Sequence, residues 1–199
     1  MCYHAGVRRR HHYDAAFEEY LRSRRVPYVA VDEARKALVP GTEECSLKSF
    51  DFVIYGQATN LLVEIKGRLY DGKPGRAPRL ESWATEEDIR SLREWECLFG
   101  SGFRAALVFL YCCPHQPPAP LFEELFEFRG LWYILRLVLV DEYARVMRPR
   151  SPRWRTVHLP AAQFERLSRT LSGSLGSPEP ARLEPRPFTP SPEPSSIRA

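Results

Sequence analysis

A chain of 199 residues, 44% hydrophobic and 27% charged, can bury one sizeable core, so one domain is expected. Its net charge of +4 is compatible with a phosphate-bearing partner without selecting one. The odd count of five cysteines fits a reduced compartment rather than a disulfide framework, and no segment is long and apolar enough to read as a membrane span or secretory signal. A cytoplasmic protein is therefore expected.

The chain opens on a basic arm, residues 1–12, that includes Arg8-Arg9-Arg10-His11-His12. Tyr13, Phe17, Tyr20 and Leu21 then recur at helical spacing, which predicts a first helix with Asp14 and Glu18 four apart on one flank of its apolar stripe. Arg22, Arg24 and Arg25 near its end suit either phosphate contacts or the negative end of the helix dipole. Residues 26–31 read as a strand, and Asp32-Glu33 stand just beyond it.

The most informative stretch follows. Residues 51–55 and 61–66 are two apolar, β-forming runs joined by the polar Gly56-Gln57-Ala58-Thr59-Asn60, the pattern of a β-hairpin. Alternation along the second run sends Glu64 and Lys66 to one face. Asp51 opens the first run, so the hairpin brings it beside them. A carboxylate inside so apolar a strand is costly unless a cation meets it. Two carboxylates and an ammonium form a hard-oxygen site for Mg²⁺ or Mn²⁺. There Lys66 orients or helps deprotonate a water, or offsets phosphate charge. The chemistry indicated is phosphodiester hydrolysis.

Arg68, Lys73, Arg76 and Arg79 fall in a Gly- and Pro-rich segment read as a loop beside that site, placed to guide a polynucleotide into it. Thr85 as N-cap with Asp88 three residues later predicts a helix running to Gly100, on an apolar stripe of Ile89, Leu92, Trp95 and Phe99. Trp83 and Trp95 are assigned to packing, with base stacking left open for Trp83. Residues 103–111 read as a buried strand. Residues 125–129 and 132–140, with Gly130 between them, extend the sheet antiparallel, and 141–147 continue as strand or short helix. Arg145, Arg148, Arg150, Arg153 and Arg155 form another basic stretch before a final helix over 159–167. From Ser172 the Ser-, Pro- and Arg-rich composition cannot bury enough surface to offset its ordering entropy, and a disordered tail is expected. Neither Cys2 with His4, His11 and His12 nor Cys112-Cys113-Pro114-His115 has the spacing of a closed zinc site. The elements add up to an α/β fold in which helices flank a mixed central sheet.

Phe50-Asp51 followed by Glu64-Ile65-Lys66 resembles the signature of the PD-(D/E)XK nuclease superfamily. The helix at 13–21, the helix at 85–100 and the strand at 103–111 resemble those of its archaeal Holliday-junction-resolvase-like branch. The similarity spans about residues 13–111, with Phe50 in place of the motif's proline. It implies a restriction-endonuclease-like core in a single domain over 13–171 and a tail over 172–199. It also implies an Mg²⁺- or Mn²⁺-dependent endonuclease or exonuclease acting on nucleic acid, DNA in preference to RNA, and leaves a homodimer open. Asp51, Glu64, the Ile65 carbonyl and Glu18 are the implied metal ligands. Lys66 acts on the water, and the helix-borne acid is Glu18, with Glu19 and Asp14 as alternatives. Glu33 is a second-rank site residue. The competing function is a non-catalytic nucleic-acid-binding or scaffold module on the same fold.

Overall fold

The computed structural model describes residues 8–31, 47–70, 80–117 and 124–176. A six-stranded sheet in the order β1-β2-β3-β5-β7-β6 forms its centre. The strands are β1 (Tyr28–Ala30), β2 (Phe52–Ile54), β3 (Asn60–Leu69), β5 (Phe103–Cys113), β6 (Leu125–Phe128) and β7 (Leu131–Leu139). β3 and β5 run parallel, linked through α2 (Glu86–Phe99), and every other pairing is antiparallel. The sheet is therefore mixed, as α/β patterning with one helical crossover dictates.

Alternation along the inner strands divides the core in two. On one face Val63, Ile65, Ala106, Val108 and Leu135 pack against α1 (Arg8–Ser23) and α5 (Leu171–Leu175). On the other, Leu62, Leu107, Phe109 and Val138 meet α2, α3 (Val140–Val146), α4 (Ala161–Leu167) and a small sheet. That small sheet has the order β4-β9-β8, formed by β4 (Ala84–Thr85), β8 (Arg148–Ser151) and β9 (Thr156–His158). β5 is buried on both faces from Ala105 to Cys113, and its unbroken apolar sequence follows from that. Arg129 and Gly130, with φ of 52° and 76°, close the β6–β7 hairpin in the two-residue turn that left-handed residues allow. None of the described helices is long and apolar enough to cross a membrane.

Several expectations change. The helix begins at Arg8, so part of the expected arm, residues 8–12, is helical. Arg68 belongs to β3 and not to the loop after it, because β5 pairs with β3 as far as Leu69. Of the two alternatives for residues 141–147, strand or short helix, the chain takes the helix, as α3, with Met147 as its C-cap. The packed domain also runs past Ser172. Thr170 caps α5 through the amide of Gly173, and Leu171 and Leu175 are buried against the α1 face of the sheet. Glu124 fixes that segment by accepting from the amides of Leu171 and Ser172, at 2.7 and 3.0 Å. The remainder of the expected tail, 177–199, lies outside the described residues.

Candidate active site

β3 crosses the middle of the sheet, and its even-numbered residues from Leu62 onward face α2. Glu64 is only 3% exposed on that face. Its Oε1 accepts from Lys66 Nζ at 2.9 Å and from Lys48 Nζ at 2.8 Å. Each ammonium also reaches the buried Asp88 of α2, Lys66 at 2.6 Å to Oδ2 and Lys48 to Oδ1. Two lysines and two carboxylates thus close into a quartet. Glu64 Oε2 is buried and finds no partner among the described residues.

Local geometry holds each member. Asp88 is the third residue of α2. Its Oδ2 accepts from the Thr85 amide at 2.8 Å while Thr85 Oγ1 accepts from the Asp88 amide at 3.1 Å, a complete capping box. Burial alone would raise the Asp88 carboxyl. The ammoniums of Lys66 and Lys48 outweigh it and hold Asp88 well below the ordinary carboxylate range. For Lys48, burial alone would lower the ammonium, and Glu64 and Asp88 raise it above its ordinary value. The Lys48 carbonyl is fixed by Trp95 Nε1 at 2.8 Å, which ties the residue to α2.

Asp51 enters from the end of β2. Phe50 packs on Trp95 and Phe52 on Phe17, so residues two apart lie on opposite faces of the sheet. Regular alternation breaks at Asp51. Its amide donates to the Val63 carbonyl at 2.8 Å, and its Oδ2 accepts the Ile65 amide at 2.6 Å, so Asp51 brackets Glu64 along β3.

The remaining expected residues lie elsewhere. Glu18 does not join the cluster. The apolar stripe of α1 covers the opposite face, and Glu18 Oε1 is engaged by the Tyr28 hydroxyl at 2.8 Å and by Arg22 at 2.7 Å. Of the alternatives on that helix, Glu19 is exposed and Asp14 half-buried. Glu33, Lys73, Arg76 and Arg79 lie outside the described residues. Arg68 follows Lys66 on the same face but does not reach outward as a free phosphate contact. Its guanidinium lies 3.8 Å from the Trp83 ring and donates to the carbonyls of Trp83 and of Gly67, the latter at 2.8 Å. Sequence reasoning missed Lys48 and read Asp88 only as a cap. The one signal available for Asp88 was its place at the start of a helix that follows the strand of Glu64 and Lys66 and has to pack back onto it.

Among the described residues, no three His, Cys, Asp or Glu side chains gather as a metal cluster. Asp88 has both oxygens taken by Lys48, Lys66 and the Thr85 amide, and the acidic donors considered for a cation are Asp51 and Glu64. That set suits a cation such as Mg²⁺, which keeps most of its waters and binds through one or two carboxylates together with substrate phosphate.

No family model and no curated protein matches the chain. A solved structure of similar shape is that of Hjc from Archaeoglobus fulgidus, a Holliday junction resolvase from an archaeal hyperthermophile. The two share 12% identity over 83% of this chain and 98% of that one, with a TM-score of 0.49.

Proposed function

We propose that the protein is a metal-dependent nuclease that hydrolyses phosphodiester bonds in DNA. The observation that carries the reading is the unequal environment of the two oxygens of Glu64. Oε1 takes both ammoniums and Oε2 none. A buried carboxylate oxygen without a partner is costly, and an oxygen-seeking cation would relieve it. Glu64 Oε2 and Asp51 are the residues that would hold Mg²⁺ or Mn²⁺, joined by the Ile65 carbonyl. When bound, such an ion would neutralise charge developing on the phosphate.

The chain's own groups have separable tasks. Lys66 is held between Glu64 Oε1, at 2.9 Å, and Asp88 Oδ2, at 2.6 Å. From there it orients the attacking water or meets the phosphate oxygen, a role in which positioned donors contribute about 10²–10³ in rate. Asp88 keeps Lys66 in place as a positioning residue, and Lys48 shares the charge of both acids. Asp51 is held beside Glu64 by the Ile65 amide, which donates to its Oδ2 at 2.6 Å. Glu18, engaged with Tyr28 and Arg22, has no part in this reading.

Cleavage of labelled single-stranded, duplex and branched DNA in Mg²⁺ or Mn²⁺ tests it. Glu64→Gln and Lys66→Met are expected to lower the turnover of the wild-type protein by at least about 100-fold while leaving the fold intact by circular dichroism. Cutting that persists in both variants, or that needs no divalent ion, would overturn the proposal.

A further inference from the structure

Where Trp83 stacks on Arg68, two residues beyond Lys66 on β3, lies a cleft of about 300 Å³ between residues 80–83 and the β8–β9 hairpin, lined by Leu80, Glu81, Trp83, Arg150, His158 and Leu159 among others. We infer that this cleft takes one unstacked nucleotide of single-stranded DNA next to the bond that is cut, its base against Trp83 and its phosphate against Arg150. The inference rests on the nuclease reading for its position relative to the reaction, and on the cleft itself for its ligand.

Three features select a nucleotide. Trp83 is already a cation–π platform, with Arg68 at 3.8 Å and Arg150 at 5.0 Å from the ring. Arg68 is the fixed member, half-buried and bonded to two carbonyls. Arg150 is the movable one. Its ion pair with Glu81, at 3.5 Å, joins two side chains 42% and 51% exposed, and such pairs contribute little. Arg150 can therefore leave the ring for a phosphate and open the aromatic face to a base. His158 lines the same cleft, and its buried Nδ1 has no partner among the described residues, so a turn of the ring toward the cleft would present a polar atom to a ligand's base edge.

Spacing and size argue for a single strand. Arg68 lies two residues beyond Lys66 on one face of β3, about 7 Å along the strand. That is about twice the ~3.4 Å per nucleotide of a stacked duplex strand, and an unstacked strand covers it in one step. The volume sits at the lower end of the roughly 300–1,000 Å³ of small-molecule sites, and a π-face is offered only by a base outside its stack.

The test is anisotropy of a labelled oligodeoxynucleotide, as a single strand and as a duplex, with Ca²⁺ in place of Mg²⁺. It is run on the full chain and on Trp83→Leu, Trp83→Phe, Arg150→Ala and His158→Gln. Cleavage of the same oligonucleotide in Mg²⁺ is followed in parallel. Single-strand binding is expected to weaken roughly tenfold in Trp83→Leu, the loss of one base–aromatic stack, and to recover in Trp83→Phe with an unchanged melting temperature. Tryptophan emission should be quenched by the oligonucleotide in the wild type and spared in Trp83→Phe, where Trp95, Trp132 and Trp154 remain. Equal affinities in all the variants, or the same dependence on Trp83 for duplex, would overturn the inference and leave the nuclease standing if the wild type still cuts. Binding through Trp83 without any cutting would support the cleft and overturn the nuclease. A wild type that neither binds nor cuts overturns both.

Discussion

Asp88 serves two structures with one carboxylate, since Oδ2 takes both the Thr85 amide and Lys66. Its acidity is therefore a direct report on the quartet. The folded value lies below the ordinary one of about 3.9. The stability it supplies is thus fully present above that pH and is lost as pH falls below it toward the folded value. Asp88→Asn, which can still accept from Thr85, is expected to flatten the acid limb of the stability curve below about pH 4, as read from urea melts. A limb as steep as that of the wild type would mean that the two ammoniums do not hold this carboxylate. Lys48→Met removes one of them, and a carboxyl NMR titration should show Asp88 moving upward toward its ordinary range.

The elements show how far a sequence can be read and where it stops. Thr85→Ala should destabilise by about 1 kcal/mol, as loss of an N-cap does, with the chemical denaturation midpoint as the measure. Gly67→Ala is expected to cost more, about 1–3 kcal/mol, because a Cβ there would overlap the Tyr13 ring where α1 closes onto β3. An unchanged midpoint in Gly67→Ala would show that Tyr13 moves aside freely. Caps and strand alternation are local, so the start of α2 and the shared face of Glu64 and Lys66 were legible from residue order. Long-range pairing is not local. Nothing near Lys48 announces that it will meet Asp88, forty residues away in the chain. The break at Asp51 depends on Phe50 finding Trp95 while Phe52 finds Phe17. Glu18 lay on a predicted helix, but the stripe beside it could not say which face of the sheet it would cover. The last turn of α5 was hidden by its composition, since two buried leucines and Glu124 hold a segment that is otherwise Ser and Gly.

At the scale of the molecule, ligand linkage offers a test that needs no substrate. Mg²⁺ or Mn²⁺ at about 100 times its dissociation constant should stabilise the wild type by about 2.7 kcal/mol, seen as a rise in melting temperature. Glu64→Gln should remove that rise. A similar rise in both would place the ion elsewhere.

The balance of the quartet bears on how a polyanion arrives. Lys48 and Lys66 match Glu64 and Asp88 in formal charge, so the four together project almost no field beyond their own contacts. Among the described residues, the rim of the β8–β9 hairpin gathers the exposed Arg148, Arg150, Arg153 and Arg155, and under the proposed function this rim is where an approaching strand would first meet positive charge. On that reading, capture and reaction fall to different charges. Encounter should slow steeply as ionic strength rises and the Debye length contracts toward about 8 Å at 0.15 M, while turnover of strands already bound stays nearly indifferent to salt.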